Sequence, residues 1–120
     1  MRKRVLLVDD DPLYVELARE IIESEEVSVV SAPNGAAALD MLALEPPHMI
    51  ISDIDMPVMD GITFCTRLKA QMNLRQIPFV FVTGSSRDSV IERAQQISGS
   101  PLVQKTNLFS ELPSLLNRML

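Results

Sequence analysis

The 120-residue chain contains no tryptophan, one tyrosine (Tyr14), one histidine (His48), one cysteine (Cys65) and four glycines. A single cysteine excludes an intramolecular disulfide framework, and with one histidine beside it there is no ligand set for structural zinc. The glycines, Gly35, Gly61, Gly84 and Gly99, are too scattered for a Gly-x-Gly-x-x-Gly or Walker phosphate loop. Basic excess is also missing. The chain has 11 Lys and Arg against 16 Asp and Glu, a net charge of -5. That balance opposes direct binding to nucleic acid or to an anionic membrane, both of which require a basic patch. No apolar run approaches the ~20 residues of a membrane span. Arg2-Lys3-Arg4 is followed only by Val5-Leu6-Leu7-Val8, too short for a signal peptide. What is present is 47% apolar and 22% charged residues in a length suited to one core. The expectation is one soluble domain over residues 1–120, in a reducing, cytoplasmic setting.

Short apolar runs alternate with segments of helical period. Val5–Val8, Val27–Ala32, Met49–Ile51, Ile77–Val82 and Leu102–Val103 read as strands, several apolar on both faces as in a buried parallel sheet. Helices are predicted from Pro12, with Asp11 as cap, and over Ala36–Leu44, Ile62–Lys69, Asp88–Ile97 and Ser110–Leu120. In the first helix Leu13, Leu17, Ala18, Ile21 and Ile22 read as one inward stripe, opposite Glu16, Glu20 and Glu23. In the second, Leu39, Leu42 and Ala43 read as the inner face. Five strands alternating with five helices define an α/β domain built from βαβ units, with a parallel sheet covered on both faces.

The informative polar residues follow the strands: Asp9 and Asp10 after the first, Asp53 after the third, Thr83 after the fourth, Lys105 after the fifth. Carboxyl ends of parallel strands share one edge, where ligands of open α/β sheets bind. If the first and third strands are neighbours, three carboxylates converge, and each close pair repels by on the order of 1 to 4 kcal/mol. A raised pKa or a bound cation relieves this. With oxygen ligands only, a hard ion such as Mg²⁺ is favoured over zinc. Three acids less one lysine leave about -2, which one divalent ion balances. This constellation suits phosphoryl transfer, with an aspartate as nucleophile.

Val5-Leu6-Leu7-Val8-Asp9-Asp10-Asp11-Pro12, Ile50-Ile51-Ser52-Asp53-Ile54-Asp55-Met56-Pro57-Val58-Met59-Asp60-Gly61, Phe81-Val82-Thr83-Gly84 and Val103-Gln104-Lys105 resemble the receiver domain of two-component response regulators, in order and spacing, over nearly the whole chain. The resemblance implies a flavodoxin-like, doubly wound sheet of strand order 2-1-3-4-5. It also implies that Asp53 accepts a phosphoryl group from a phosphohistidine on a sensor histidine kinase or phosphotransfer protein. Asp10 and Asp53 would then ligate Mg²⁺ with the main-chain carbonyl of Asp55, Asp9 acting mainly through metal-bound water. Thr83 and Lys105 would hold the phosphoryl oxygens, and the surface of the fourth helix, fifth strand and fifth helix would switch. Such a domain is not a true enzyme, having only self-catalysed transfer and dephosphorylation. Its output would lie in a downstream domain or another protein. Two positions depart from the family pattern: Thr106 stands where a cis-proline usually follows the lysine, and Leu102 where an aromatic residue usually stands.

Plainer readings sit beside these. Asp9-Asp10-Asp11 alone is also a helix-capping cluster; Asp53 and Lys105 at matching strand ends favour the functional reading. Asp60-Gly61 reads as cap and turn, Met56, Pro57 and Met59 as loop packing, Cys65 as core, His48 as surface. Asp53-Ile54-Asp55 also resembles the Asp-x-Asp of haloacid-dehalogenase-type phosphatases, although the chain has no room for a substrate cap. A pseudo-receiver, acting as an interaction module without phosphorylation, is the third reading.

Overall fold

The computed structural model describes residues 2–84, 92–96 and 100–120. Five strands, β1 (Lys3–Val8), β2 (Val27–Ala32), β3 (Met49–Asp53), β4 (Phe79–Thr83) and β5 (Leu102–Gln104), pair in parallel in the order β2-β1-β3-β4-β5. Helices α1 (Pro12–Ile22), α2 (Gly35–Leu44) and α3 (Gly61–Lys69) follow the first three strands. Residues 92–96 are helical (α4), and α5 (Leu108–Met119) closes the chain after a 3₁₀ turn over Lys105–Asn107. The remainder of the fourth predicted helix lies outside the described residues.

Alternation along the strands divides the core in two. Leu6, Val8, Ile50, Phe79 and Phe81 face α2, α3 and Ala94 of α4. Val5, Leu7, Met49, Ile51, Val80 and Val82 face α1 and α5, where Ala18, Leu108 and Leu112 meet them. Both faces of the sheet are therefore apolar, which is why the strands read as continuous rather than alternating runs. Cys65 is fully buried in the first of these layers, as its apolar neighbours suggest.

Several local expectations change. The α1 stripe is not one face: Val15, Ala18 and Ile22 are buried, while Leu13, Leu17 and Ile21 are 69%, 45% and 48% exposed. Val15 sets the inward direction, and residues four apart starting from Leu13 fall on a separate strip. On α2, Ala38 and Leu42 are buried whereas Ala43 is exposed. β4 starts at Phe79 rather than Ile77, because Pro78 has no N–H to give; its carbonyl instead accepts from Ile50 N–H at 2.9 Å. α5 starts at Leu108, not Ser110, since Leu108 is fully buried against the sheet. His48 is not simply a surface residue. Its Nδ1 accepts the Arg4 N–H at 2.9 Å and its own N–H reaches the Arg4 carbonyl at 2.8 Å, extending the β1–β3 pairing by one step.

Candidate functional site

β1, β3 and β4 all end at one edge, and each delivers a polar side chain there. Asp9 is placed by its backbone: its N–H continues the β1–β2 ladder to the Ala32 carbonyl at 3.0 Å. One carboxylate oxygen then accepts the Asp11 N–H at 2.9 Å, which turns the chain into α1. Asp11 caps that helix as expected, accepting from Leu13 N–H and Tyr14 N–H with Pro12 in the first turn. Asp53 is the last residue of β3, in register with Val82, and its Oδ1 accepts the Ile54 N–H at 2.8 Å. Thr83, the last residue of β4, is fully buried and pairs in register with Gln104 of β5.

The loop after Asp53 is tightly built. Gly61 N–H donates to the Ile54 carbonyl at 2.8 Å, and a Cβ on Gly61 would overlap the Asp53 carbonyl oxygen. Asp60 caps α3 by accepting the Thr63 N–H at 2.7 Å. Between them, Val58 has φ 70°, at the centre of a γ-turn closed by Met59 N–H to the Pro57 carbonyl at 2.7 Å. Positive φ is strained for a β-branched residue. Met59 anchors this turn by packing on the core and accepting the Gly35 N–H through its carbonyl at 3.1 Å. The Asp60-Gly61 pair and the methionines are thus structural supports of the Asp53 backbone.

Lys105 closes the site from the far side. Its Nζ lies 2.9 Å from Asp9 Oδ2 and 3.3 Å from Asp53 Oδ2. Asp9, Asp10 and Asp53 offer carboxylate oxygens that all lie within 4.8 Å of one another; Asp9 and Asp53 are buried and Asp10 is exposed. The three acids, Thr83 and Lys105 therefore end at the same edge, while the Asp55 side chain is exposed two residues beyond Asp53. Burial first, and the Asp9 charge second, push the Asp53 carboxyl up from 3.8 to about 6, against the opposing pull of Lys105. Burial, the largest single influence on Lys105, lowers its pKa, but hydrogen bonds and charges from Asp9 and Asp53 together raise it above the usual lysine value. The all-oxygen donor set, partly buried and with more negative than positive charge, fits a hard divalent cation such as Mg²⁺.

Sequence reading had no signal for Tyr14. Its hydroxyl donates to the Lys105 carbonyl at 3.2 Å, its ring lies 4.7 Å from the Lys105 Nζ, and the ring stacks on Phe109 with centroids 5.6 Å apart. No spacing rule links residues 91 positions apart; only the antiparallel-free, doubly wound topology brings α1 beside the end of β5.

The convergent acidic cluster and lysine lie at the carboxyl edge of an open parallel sheet, the edge at which α/β domains of this class bind ligands. The family model described as response regulator receiver domain matches residues 5–117. The chain is 33% identical over 96 residues to the polar-differentiation response regulator DivK of Brucella anthropi, covering 80% of this chain and 78% of that protein. It is 40% identical over 83 residues to the response regulator PleD of Caulobacter vibrioides, covering 69% of this chain but 18% of PleD. The solved signal receiver domain of a signal transduction histidine kinase from Syntrophus aciditrophicus superposes with a TM-score of 0.90 at 32% identity, covering 98% of this chain and 89% of that one. The chain belongs to the receiver-domain family of response regulators, and the sheet order implied by the resemblance is the one observed.

Proposed function

We propose that Asp53 accepts a phosphoryl group from a phosphohistidine of a sensor histidine kinase or a phosphotransfer protein, in a Mg²⁺-dependent reaction, and that the product alters a protein-binding surface. The carrying observation is the buried Asp53 carboxylate with Lys105 Nζ at 3.3 Å and the Asp9 and Asp10 carboxylates within ligand distance of it. A purely structural ion pair needs one acid and one base. Three acids around one ammonium leave a negative excess that serves no packing purpose and matches a divalent ion.

In the transfer, an Asp53 carboxylate oxygen forms the new P–O bond as the P–N bond to the donor imidazole breaks. The electron pair stays on the imidazole nitrogen, which is then protonated from solvent. Lys105 supplies positive charge to the phosphoryl oxygens, and Thr83 supplies a hydroxyl donor from the end of β4. Asp10, Asp53 and the main-chain carbonyl of Asp55 would hold Mg²⁺ directly and Asp9 indirectly, and the ion would supply the positive charge that neutralises the remaining negative charge on those oxygens. The switched surface would comprise α4, β5 and α5, with Leu102 half-buried against the core at the start of β5.

Incubation with acetyl phosphate and Mg²⁺ should add one phosphoryl group by intact mass. The addition should disappear in Asp53→Asn and in the presence of EDTA. No mass gain in the unaltered protein would reject the reading; multiple turnover of a small phosphomonoester would favour a hydrolase instead.

A further inference from the structure

The lysine of the site is held at its main chain and at its ammonium. Lys105 is the first residue of a 3₁₀ turn, with the Leu108 N–H donating to its carbonyl, and there are no cis peptide bonds among the described residues. The Lys105–Thr106 bond is therefore trans, and Thr106 is an exposed residue with no ring to fix the loop. Tyr14, from the first turn of α1, reaches this segment and touches Lys105 at both ends. Its hydroxyl hydrogen-bonds the main-chain carbonyl at 3.2 Å, and its ring lies against the ammonium at 4.7 Å. The ring is itself fixed by stacking on Phe109, with an interplanar angle of 23°. Asp11, which accepts the Tyr14 N–H, fixes its backbone immediately beside Asp9 and Asp10.

We propose that Tyr14 is a positioning residue for Lys105: its hydroxyl anchors the Lys105 main chain and its ring guides the ammonium onto Asp9 and Asp53. The physical argument is one of freedom. A lysine side chain has four rotatable bonds and a strongly hydrated head, so an ion pair with two carboxylates does not by itself fix where the stem runs. An aromatic face beside the ammonium adds a directional attraction, and the anchored carbonyl fixes the point from which the stem departs. With both ends held, the charge stands at the place where phosphoryl oxygens would develop their negative charge, rather than sampling solvent. The two anchors act on different ends of Lys105, and the hydroxyl can be removed while the ring is kept.

This inference rests on the phosphoacceptor reading for its functional consequence but not for its geometry, and the test separates the two. Tyr14→Phe keeps the ring and removes the hydroxyl; Tyr14→Leu removes both. In isotope-labelled protein without any phosphoryl donor, the Lys105 ε-methylene protons should be shifted upfield by the ring in the unaltered protein and in Tyr14→Phe. That shift should be lost in Tyr14→Leu. With beryllofluoride and Mg²⁺ as a phosphoryl mimic, Tyr14→Leu should bind about tenfold more weakly and Tyr14→Phe by an intermediate factor. Acetyl phosphate titrations should show the loss in the saturating rate rather than in half-saturation. Absence of the ring shift in the unaltered protein would overturn the proposal, and so would equal beryllofluoride affinity in all three proteins. If the unaltered protein binds no beryllofluoride while the ring shift is present, the phosphoacceptor reading fails and the Tyr14–Lys105 contact stands. Should Tyr14→Leu fail to fold, the unaltered protein and Tyr14→Phe still decide both readouts.

Discussion

At the scale of single residues, the β3–α3 loop holds two positions of opposite character. Gly61 is a steric necessity: a Cβ there would overlap the Asp53 carbonyl oxygen, which is backbone and cannot rotate away. Gly61→Ala should therefore displace the end of β3, lower stability by about 2 kcal/mol or more, and slow any chemistry at Asp53. Val58, at φ 70° and 85% exposed, is a conformational strain with little packing to offset it. Val58→Gly should relieve on the order of 1 to 3 kcal/mol of strain against a 0.5 to 1 kcal/mol backbone-entropy cost, for a net gain near 1 kcal/mol. Thermal melts of the two variants should move in opposite directions; a destabilised Val58→Gly would show that the positive φ costs less than the added backbone freedom. Asp9, Asp53, Thr83 and Lys105 were legible because each stands at or just past the carboxyl end of an apolar run, where a polar residue must have a reason to be. Tyr14 was not legible, because its partner lies 91 positions away and a half-buried tyrosine on a helix is an ordinary packing residue.

At the scale of elements, α1 carries two apolar strips where the helical period suggested one. Val15, Ala18 and Ile22 fill the core, whereas Leu13, Leu17 and Ile21 form a solvent-facing row, each one about a turn from the next. Periodicity identifies positions that share a face but cannot say which of two overlapping rows meets the sheet; that is decided by how Asp11 and Pro12 aim the first turn. The exposed row begins beside the acidic cluster and runs away from it, with exposed Glu16 and Glu20 alongside. On the phosphotransfer reading, an exposed apolar row with acidic neighbours beside the site would be open to contact with a protein phosphodonor. Leu17→Glu adds a charge to the centre of the row without touching the site. It should leave phosphorylation by acetyl phosphate within about twofold of the unaltered protein, and reduce the rate from a cognate protein donor by at least about tenfold, a hot-spot loss of about 1.4 kcal/mol. Equal losses with both donors would place the effect in the site rather than in docking. Strand and helix ends shifted by one to two residues from their sequence positions for equally local reasons: Pro78 delays β4, and the buried Leu108 draws α5 forward.

At the scale of the whole molecule, fold class and the site's edge followed from alternating strand and helix patterns, and the sheet order came through the family resemblance, because nothing in one strand's composition states its neighbours. What the sequence could not state is how the domain balances an acidic centre against its own stability. Asp53 titrates near 6 in the folded protein against 3.8 ordinarily, chiefly through burial and then through Asp9. The folded state thus holds the proton more tightly than the unfolded chain, so ionising Asp53 costs folding free energy. The sign follows directly: this contribution favours the folded protein below about pH 4 and is lost as pH rises through about 6. The rise from 3.8 to about 6 corresponds to at most ~3 kcal/mol, reduced by water at the mouth of the site to on the order of 1 to 2 kcal/mol. Two outcomes follow at pH 7.5. Asp53→Asn, a neutral isostere, should be more stable than the unaltered protein by about 1 to 2 kcal/mol in urea unfolding, and the difference should shrink as the pH is lowered toward 5. Mg²⁺ should stabilise the unaltered protein by about 2.7 kcal/mol at a hundredfold excess over its dissociation constant, and Asp53→Asn by much less. If Asp53→Asn is less stable at pH 7.5, or if Mg²⁺ stabilises both proteins equally, the buried Asp53 charge is not the cost that the cation relieves. On the phosphoacceptor reading, an Asp53 carboxylate that is destabilising when ionised and alone would favour the states in which its charge is matched, by a metal or by a covalent phosphoryl group with its metal. On the same reading, that preference would be the energetic basis on which a small change at one sheet edge reaches the surfaces packed around it.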